Sequence, residues 1–389
     1  MFEIVEVAPA PIGTVIKVIG VGGAGGNAVE HMIREGVQGV EFICCNTDSQ
    51  SLGLSSADAK LQLGPGQGAG GKPEKARDLA LKEREHIADA LHGAHMVFIT
   101  AGMGGGTGTG AAPVVAQVAR EMNILTVAVV TKPFEFEGKR MRLAEEGLGE
   151  LQQYCDALIV ILNERLMEVL GDDVSMPDAF KAADNVLRNA VGGIAEIINV
   201  PGLVNVDFED VRTVMGEMGK AMMGSATAAG VDRARLAAEA AVASPLLEGV
   251  ELSGARGVVV NITASRQLGM REVKDVMNTI KAYTHEDATV IFGTVFDDNM
   301  EDQLRVTVVA TGLGGKVVLK PKLERVETFG LRSGTDGRTY GEAIATPSFD
   351  AGLPDVFSSG RSRTAAVKAM VESGMDRYDI PAFLIKQAD

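Results

Sequence analysis

Gly104-Gly105-Gly106-Thr107-Gly108-Thr109-Gly110 stands between an apolar segment, Met96 to Thr100, and an amphipathic one, Val114 to Met122. The first reads as a strand and the second as a helix, with Pro113 suited to the first helical turn. Glycines let the backbone approach a bound group closely, and a helix N-terminus adds unpaired N–H donors and the positive end of its dipole. The two threonine hydroxyls enlarge this into a cradle for a polyphosphate. A bare glycine turn is the plainer reading, and the strand–loop–helix setting argues against it.

Upstream, Gly20, Gly22 and Gly25 form GxGxxG directly after the strand-like Val15 to Ile19 and before a helix through Ala28 to Arg34. Such a loop alone serves any nucleotide. Asp48 even stands where a dinucleotide-binding domain keeps its ribose-binding acid, so an NAD(P)-dependent oxidoreductase remains open on this loop. No GxxxxGK[ST] occurs, which excludes ordinary P-loop chemistry. Two glycine loops can grip one polyphosphate together.

Further strands are expected at Glu41 to Cys45, Leu125 to Thr131 and Ala157 to Leu162, apolar on both faces as parallel strands under helices should be. From Pro177 to Asn199, Phe180, Ala183, Leu187, Ala190, Val191, Ile194, Ile197 and Ile198 recur at helical spacing and predict one long helix. Helical stretches around Val211 to Met215 and Ala234 to Val242, then strands at Gly257 to Ile262, Ala288 to Thr294 and Leu304 to Thr311, make a second α/β unit. Residues from about Pro321 to Arg363 lack periodicity and read as a tether.

With 52 acidic against 37 basic side chains in 389 residues, the net charge of −15 opposes direct binding to nucleic acid or anionic lipid. No run approaches the roughly 20 apolar residues of a membrane span, and Met1 to Ala10 carries Glu3 and Glu6 rather than a basic leader. Three cysteines, Cys44, Cys45 and Cys155, do not make a disulfide framework and are expected to be buried thiols in a reducing cytoplasm. The five histidines and three cysteines show no metal-ligand spacing.

GGGTGTG, together with GVGGAGGNAV, TKPF-EFEG, PGLVNVDFEDV and the terminal DIPAFLIKQAD, resembles the FtsZ family, bacterial cell-division GTPases of the tubulin type. The match runs from Val15 to about Gly315 and over the last eleven residues. The resemblance implies a parallel-sheet GTP-binding domain over 1–175, a central helix over 176–200 and a second, GTPase-activating α/β domain over 201–317. A disordered linker over 318–377 and a partner-binding peptide over 378–389 would follow. It implies GTP or GDP contacts from Gly22, Gly23, Ala24, Gly25, Gly26, Asn27, Ala69, Gly70, the residues Gly104, Gly105, Gly106, Thr107, Gly108, Thr109 and Gly110, and Glu137 with a nearby arginine. Between Gly138 and Gly147 the chain is one residue short of the pattern, so Arg140 is preferred and Arg142 stays open. The loop Gly64 to Gly71 is also shortened, and Leu162 replaces the proline usual before Asn163.

Phe180 and Asp184, four apart on the long helix, share a face. A carboxylate there can accept from guanine N1–H and the 2-amino group while the ring packs on the base. Spacing alone favours a solvated Asp beside a core Phe; the resemblance turns the reading toward guanine. Asn205, Asp207 and Asp210 pose a similar choice, since carboxylates at a helix start are routine caps. In the family this acidic loop completes the active site of the next subunit, implying a head-to-tail homopolymer. Magnesium is expected from phosphate chemistry, with no ligand assigned. Asp379, Ile380, Pro381, Phe383 and Leu384 form a docking peptide that, by resemblance, binds membrane-tethering division proteins such as FtsA or ZipA, and regulators, at the mid-cell ring.

Overall fold

The computed structural model describes residues 13–171, 174–200, 204, 206–216, 219–247, 254–285 and 287–313. Strand and helix alternate from the start: β1 (Ile16–Val21), α1 (Gly22–Arg34), β2 (Glu41–Asn46), α2 (Ser49–Gly53) and β3 (Ala59–Gln62). Then come α3 (Pro73–Lys82), α4 (Arg84–Leu91), β4 (Met96–Gly102), α5 (Thr107–Glu121), β5 (Leu125–Lys132), α6 (Lys139–Leu151), β6 (Ala157–Leu162) and α7 (Asn163–Leu170). The long helix α8 (Met176–Asn199) leads to α9 (Phe208–Met215), β7 (Gly219–Ala229), α10 (Arg233–Val242), β8 (Gly257–Ala264), α11 (Met270–Lys281), β9 (Thr289–Phe296) and β10 (Gln303–Leu313).

The strands form one sheet in the order β3-β2-β1-β4-β5-β6-β7-β10-β8-β9. Every adjacent pair is parallel except those of β10, which runs against both β7 and β8. The two α/β units expected from the sequence thus share a continuous sheet. In the first unit the chain winds outward from β1 to β3 and returns to β4 on β1's other side, so β1 and β4 flank the topological switch point. Open parallel sheets bind ligands outside the carboxyl ends of their strands at such a point. Both glycine loops leave from there.

Alternate residues of the central strands feed two cores. Val18, Cys44, Phe98, Val127 and Ile159 face α1 and α8, while Ile19, Cys45, Ile99, Ala128 and Leu158 face α4, α5 and α6. A third cluster packs α10 and α11 on β8 and β10. Burial raises all three thiols above their ordinary pKa, as expected for apolar cysteines.

Helix α8 begins at Ser175, whose hydroxyl accepts from Asp178 N–H at 3.3 Å, with Pro177 in the first turn. At its other end the Asn199 amide donates to the Thr14 and Gly39 carbonyls at 2.9 and 2.7 Å. Strand β7 has no counterpart in the sequence reading. Its GKAMMGSATAA lacks a large apolar alternation, because α10 lies hard against it through Ala237, Ala238 and Ala241. A Cβ on Gly224 would strike the Ala241 carbonyl.

Candidate nucleotide site

Helices α1 and α5 start side by side at the carboxyl ends of β1 and β4. Neither start has a side-chain cap or an acidic residue in its first turn, so both leave N–H groups unpaired toward the crevice. The loops touch: Gly22 sits at φ +76°, and a Cβ there would lie 2.9 Å from the Gly108 nitrogen. Positive φ and close approach together leave room only for glycine. Gly22 is in this way brought against Thr107 and Gly108, Ala24 lies against Gly102 and Gly25 against the Thr100 carbonyl, whereas Gly23 and Asn27 are exposed at the start of α1 and Gly26 faces Cys44.

A third segment joins them. Gly106 faces Ala69, with a Cβ-to-Cβ separation of 3.0 Å were it alanine, and Gly70 follows in the left-handed region. Gly68 N–H donates to the Thr47 carbonyl at 2.8 Å, and the Thr47 and Thr107 hydroxyls lie 2.7 Å apart. Thr47 therefore ties the shortened loop to the glycine/threonine loop, a role the sequence did not signal. The Thr109 hydroxyl is buried and accepts from Gly104 N–H at 2.8 Å. It shapes the loop from within, whereas Thr107 heads the helix at the crevice.

The start of α6 closes one side. A Cβ on Gly104 would lie 2.6 Å from the Arg140 carbonyl oxygen, which sets Arg140 directly against the loop; Arg142 is exposed farther along the helix. Glu137 accepts from Phe134 N–H at 3.1 Å and pairs with the Arg140 guanidinium. Phe134 stacks on Phe136 with centroids 5.3 Å apart and meets Phe180 edge-on at 6.2 Å. Phe180 keeps 48% of its surface exposed, unusual for a core phenylalanine.

One turn on, Asp184 is half-buried, and its pKa is raised to about 6 by desolvation, with His31 and Arg34 pulling in the opposite sense. A carboxylate held in a partly dry pocket with few donors of its own suits a ligand that brings them. Asn163, at the carboxyl end of β6, was noted in the sequence only as the neighbour of Leu162. It is buried and its side-chain oxygen has no partner, so it is a further polar group on this edge awaiting one. Asp48 caps α2, accepting from Gln50 N–H and the Ser51 hydroxyl, both at 3.0 Å.

The acidic loop lies elsewhere. Asp207 caps α9, accepting from Asp210 N–H at 2.8 Å, so the capping reading describes its geometry. Asp210 is exposed in the first turn; Asn205 lies outside the described residues. Phe208 meets His95 edge-on at 6.1 Å, at the residue before β4 begins. Thr14, Ile16, Glu41, Asn199, Val206 and Asp207 line a cleft of about 630 Å³ at the amino ends of β1 and β2. The glycine loops leave the carboxyl ends of β1 and of β4, which is parallel to β1, and at about 3.3 Å per residue β1 alone separates the two places by roughly 17 Å. The structure brings the two glycine loops together and holds Asp207 and Asp210 apart from them.

A doubly wound sheet with two uncapped helix starts at its switch point, flanked by an aromatic and a carboxylate, defines a nucleotide-binding domain. Residues 15–171 match the GTPase domain of the Tubulin/FtsZ family, and residues 219–314 match the C-terminal domain of the FtsZ family. The cell division protein FtsZ of Pseudomonas aeruginosa is 52% identical over 397 residues, covering all of both chains. Among solved structures, an empty FtsZ dimer from M. jannaschii shares 43% identity at a TM-score of 0.74, over 77% of this chain and 88% of that one. A GTPγS-bound protofilament of CetZ2 from Haloferax volcanii, 20% identical with a TM-score of 0.64 over 77% and 93% of the two chains, shares the fold. The chain belongs to the FtsZ family of tubulin-related, cell-division GTPases.

Proposed function

We propose that the chain polymerises head to tail and hydrolyses GTP only at the contacts so formed, building the cytokinetic ring of a dividing cell. The observation that carries this is the opposition of the two half-sites. The glycine loops occupy the carboxyl ends of β1 and β4, and Asp207 and Asp210 sit by their amino ends. A heterologous contact of one end with the other propagates as an open filament. The solved FtsZ dimer, 43% identical to this chain, supports self-association.

In this reading Gly22 to Asn27, Ala69, Gly70 and Gly104 to Gly110 hold the phosphates. Arg140, paired with Glu137, offsets their charge beside the ribose, and Asn163 offers its free oxygen. Phe180 packs on guanine and Asp184 accepts from N1–H and the 2-amino group. Asp207 and Asp210 of the next subunit, with Asn205, orient the attacking water. Among the described residues no three His, Cys, Asp or Glu side chains converge as a metal cage. A magnesium ion beside the nucleotide would take phosphate oxygens, water and at most one or two protein oxygens, as small hard cations usually do. It would neutralise developing charge on the phosphates.

The activating role belongs to the domain expected over 201–317. The linker and the peptide with Asp379, Ile380, Pro381, Phe383 and Leu384 lie outside the described residues. The peptide is assigned to adaptors such as FtsA or ZipA. No helix among the described residues is long and apolar enough to cross a membrane. Light scattering and phosphate release with GTP, ATP or no nucleotide test the proposal. GTP-specific scattering with release only above a threshold protein concentration is expected. Hydrolysis strictly proportional to concentration down to the lowest levels refutes it, and scattering without release identifies a non-hydrolysing scaffold.

A further inference from the structure

His31 is only 4% exposed, on α1 two and a half turns beyond the phosphate-facing Gly22. Its Nε2 lies 2.7 Å from the Oδ1 of Asn185 on α8, the residue next to Asp184. Elsewhere these helices share an apolar cluster, Ala28, Val29 and Met32 of α1 with Ala183, Leu187 and Ala190 of α8, and the charges of His31 and Arg34 act on the Asp184 carboxylate. Apolar contact is non-directional and tolerates sliding or rotation of one helix on the other. A hydrogen bond between buried groups tolerates neither, because its energy falls steeply with angle and an unmade buried bond costs the full desolvation of its members. Among the described residues the His31–Asn185 pair is thus the side-chain hydrogen bond that directs the helix offering amides to phosphate against the helix offering Phe180 and Asp184 to the base.

We propose that His31 is a positioning residue for base recognition: through Asn185 it sets the rotation of α8 about its axis, and so where the Asp184 carboxylate points relative to the phosphates on α1. With Nε2 protonated, imidazole donates to the Asn185 carbonyl oxygen and leaves Asp184 free for the base. His31 needs no contact with the nucleotide. The inference rests on the reading of Asp184 as the guanine acceptor.

Binding of GTP and of ITP to the full-length chain, held below its assembly threshold, tests it. Inosine lacks the 2-amino group and keeps N1–H, so the ratio of the two affinities measures one hydrogen bond to a carboxylate. Such a bond is worth about tenfold or more. His31→Ala should weaken GTP about tenfold, leave ITP nearly unchanged and bring the ratio close to one. His31→Gln, whose amide can still donate to Asn185, should restore the preference. Asn185→Ala should reproduce the His31→Ala value, with the double variant no worse than either single one. A His31→Ala protein that keeps the full GTP preference, or loses GTP and ITP affinity equally, overturns the proposal. Asp184→Ala separates the two failures: if it too keeps the preference, the guanine reading itself is wrong. If it alone loses the preference, only the role of His31 is refuted.

Discussion

If the active site is divided between copies of the chain, two crippled variants should rescue each other when mixed. Asp210→Ala removes an exposed carboxylate from the acidic loop and leaves the nucleotide end whole. Gly105→Leu does the reverse. A Cβ at Gly105 meets nothing within 4 Å, and its φ lies outside the left-handed region, so leucine fits the backbone and projects into the open crevice. At Gly108 the same change would press a Cβ within 2.5 Å of the Gly102 carbonyl oxygen and damage the fold instead.

Each variant alone offers only contacts that lack one half. In a filament mixed at random, an intact contact needs the nucleotide end of an Asp210→Ala subunit against the acidic end of a Gly105→Leu subunit. With a fraction x of the first variant such contacts form with probability x(1−x), reaching about a quarter at equal amounts when the interfaces are otherwise equivalent. Phosphate release at fixed total protein should therefore trace a parabola, near zero at both ends and about 25% of the unmodified rate at the midpoint. Cosedimentation reports whether both variants enter the filament. Mixed filaments that contain both yet hydrolyse at the single-variant background would refute the division, as would full activity of Asp210→Ala by itself.

Three further outcomes follow from particular contacts. Asp184 takes up its proton near pH 6 in the nucleotide-free protein. A protonated carboxyl loses acceptor capacity, so GTP affinity should be flat above that pH and fall toward tenfold per unit below it. Asp184→Asn should abolish this slope in a binding titration, and an unchanged slope would exclude the residue. Asp207→Ala loses the cap on α9 and should cost about 1 kcal/mol, a fall of roughly 2 °C or more in Tm; Asp207→Asn keeps the cap and the Tm. Both should lose hydrolysis, which separates the carboxylate's charge from its capping bond; an active Asp207→Asn protein would assign Asp207 to capping alone. Gly25→Ala drives a Cβ into the Thr100 carbonyl between α1 and β4 and should destabilise the chain by about 1–3 kcal/mol. The urea midpoint would then drop at an unchanged slope, and an unmoved midpoint would show that α1 can shift away from the sheet.

What could be read in the sequence depended on how locally each feature is determined. Strands β1, β2, β4, β5 and β6 carry continuous apolar runs because both faces are covered, and the ends read for them lie within a few residues of those observed. Helix α8 is marked by its period and by Pro177. Strand β7 and the edge strand β3 were missed for opposite reasons: one is stripped to small residues by α10, the other is the largely exposed AKLQ. Helix α11 was missed although Val273, Val276, Met277 and Ile280 recur at helical spacing, a signal that was present. In the site, the glycine loops were legible because strand, loop and helix are contiguous. Thr47, Asn163 and the internal bond of Thr109 were not, since each depends on which segment the fold places beside it.

The separation of the glycine loops from the acidic loop has a second measure, independent of the sheet. From Phe180 to Asn199, α8 climbs nineteen residues, which at 1.5 Å each is about 28 Å. Its first turns carry the ring against Phe134 and the carboxylate near His31 and Arg34 of α1. Its last residue is bonded to the Thr14 and Gly39 carbonyls, in the wall of the cleft that holds Asp207. A helix of that length cannot bring its ends together without breaking, and its small residues Gly192 and Gly193 are buried in the core. Bending the chain until Asp210 met its own nucleotide would require α8 to leave the sheet, and with it Ala183, Leu187, Val191 and Ile194, all less than 5% exposed. Losing four such side chains from the core would cost on the order of 10 kcal/mol, comparable to the whole stability of a domain. Stacking a second copy end to end requires no such loss, so if these carboxylates orient the water, they belong to the neighbouring molecule.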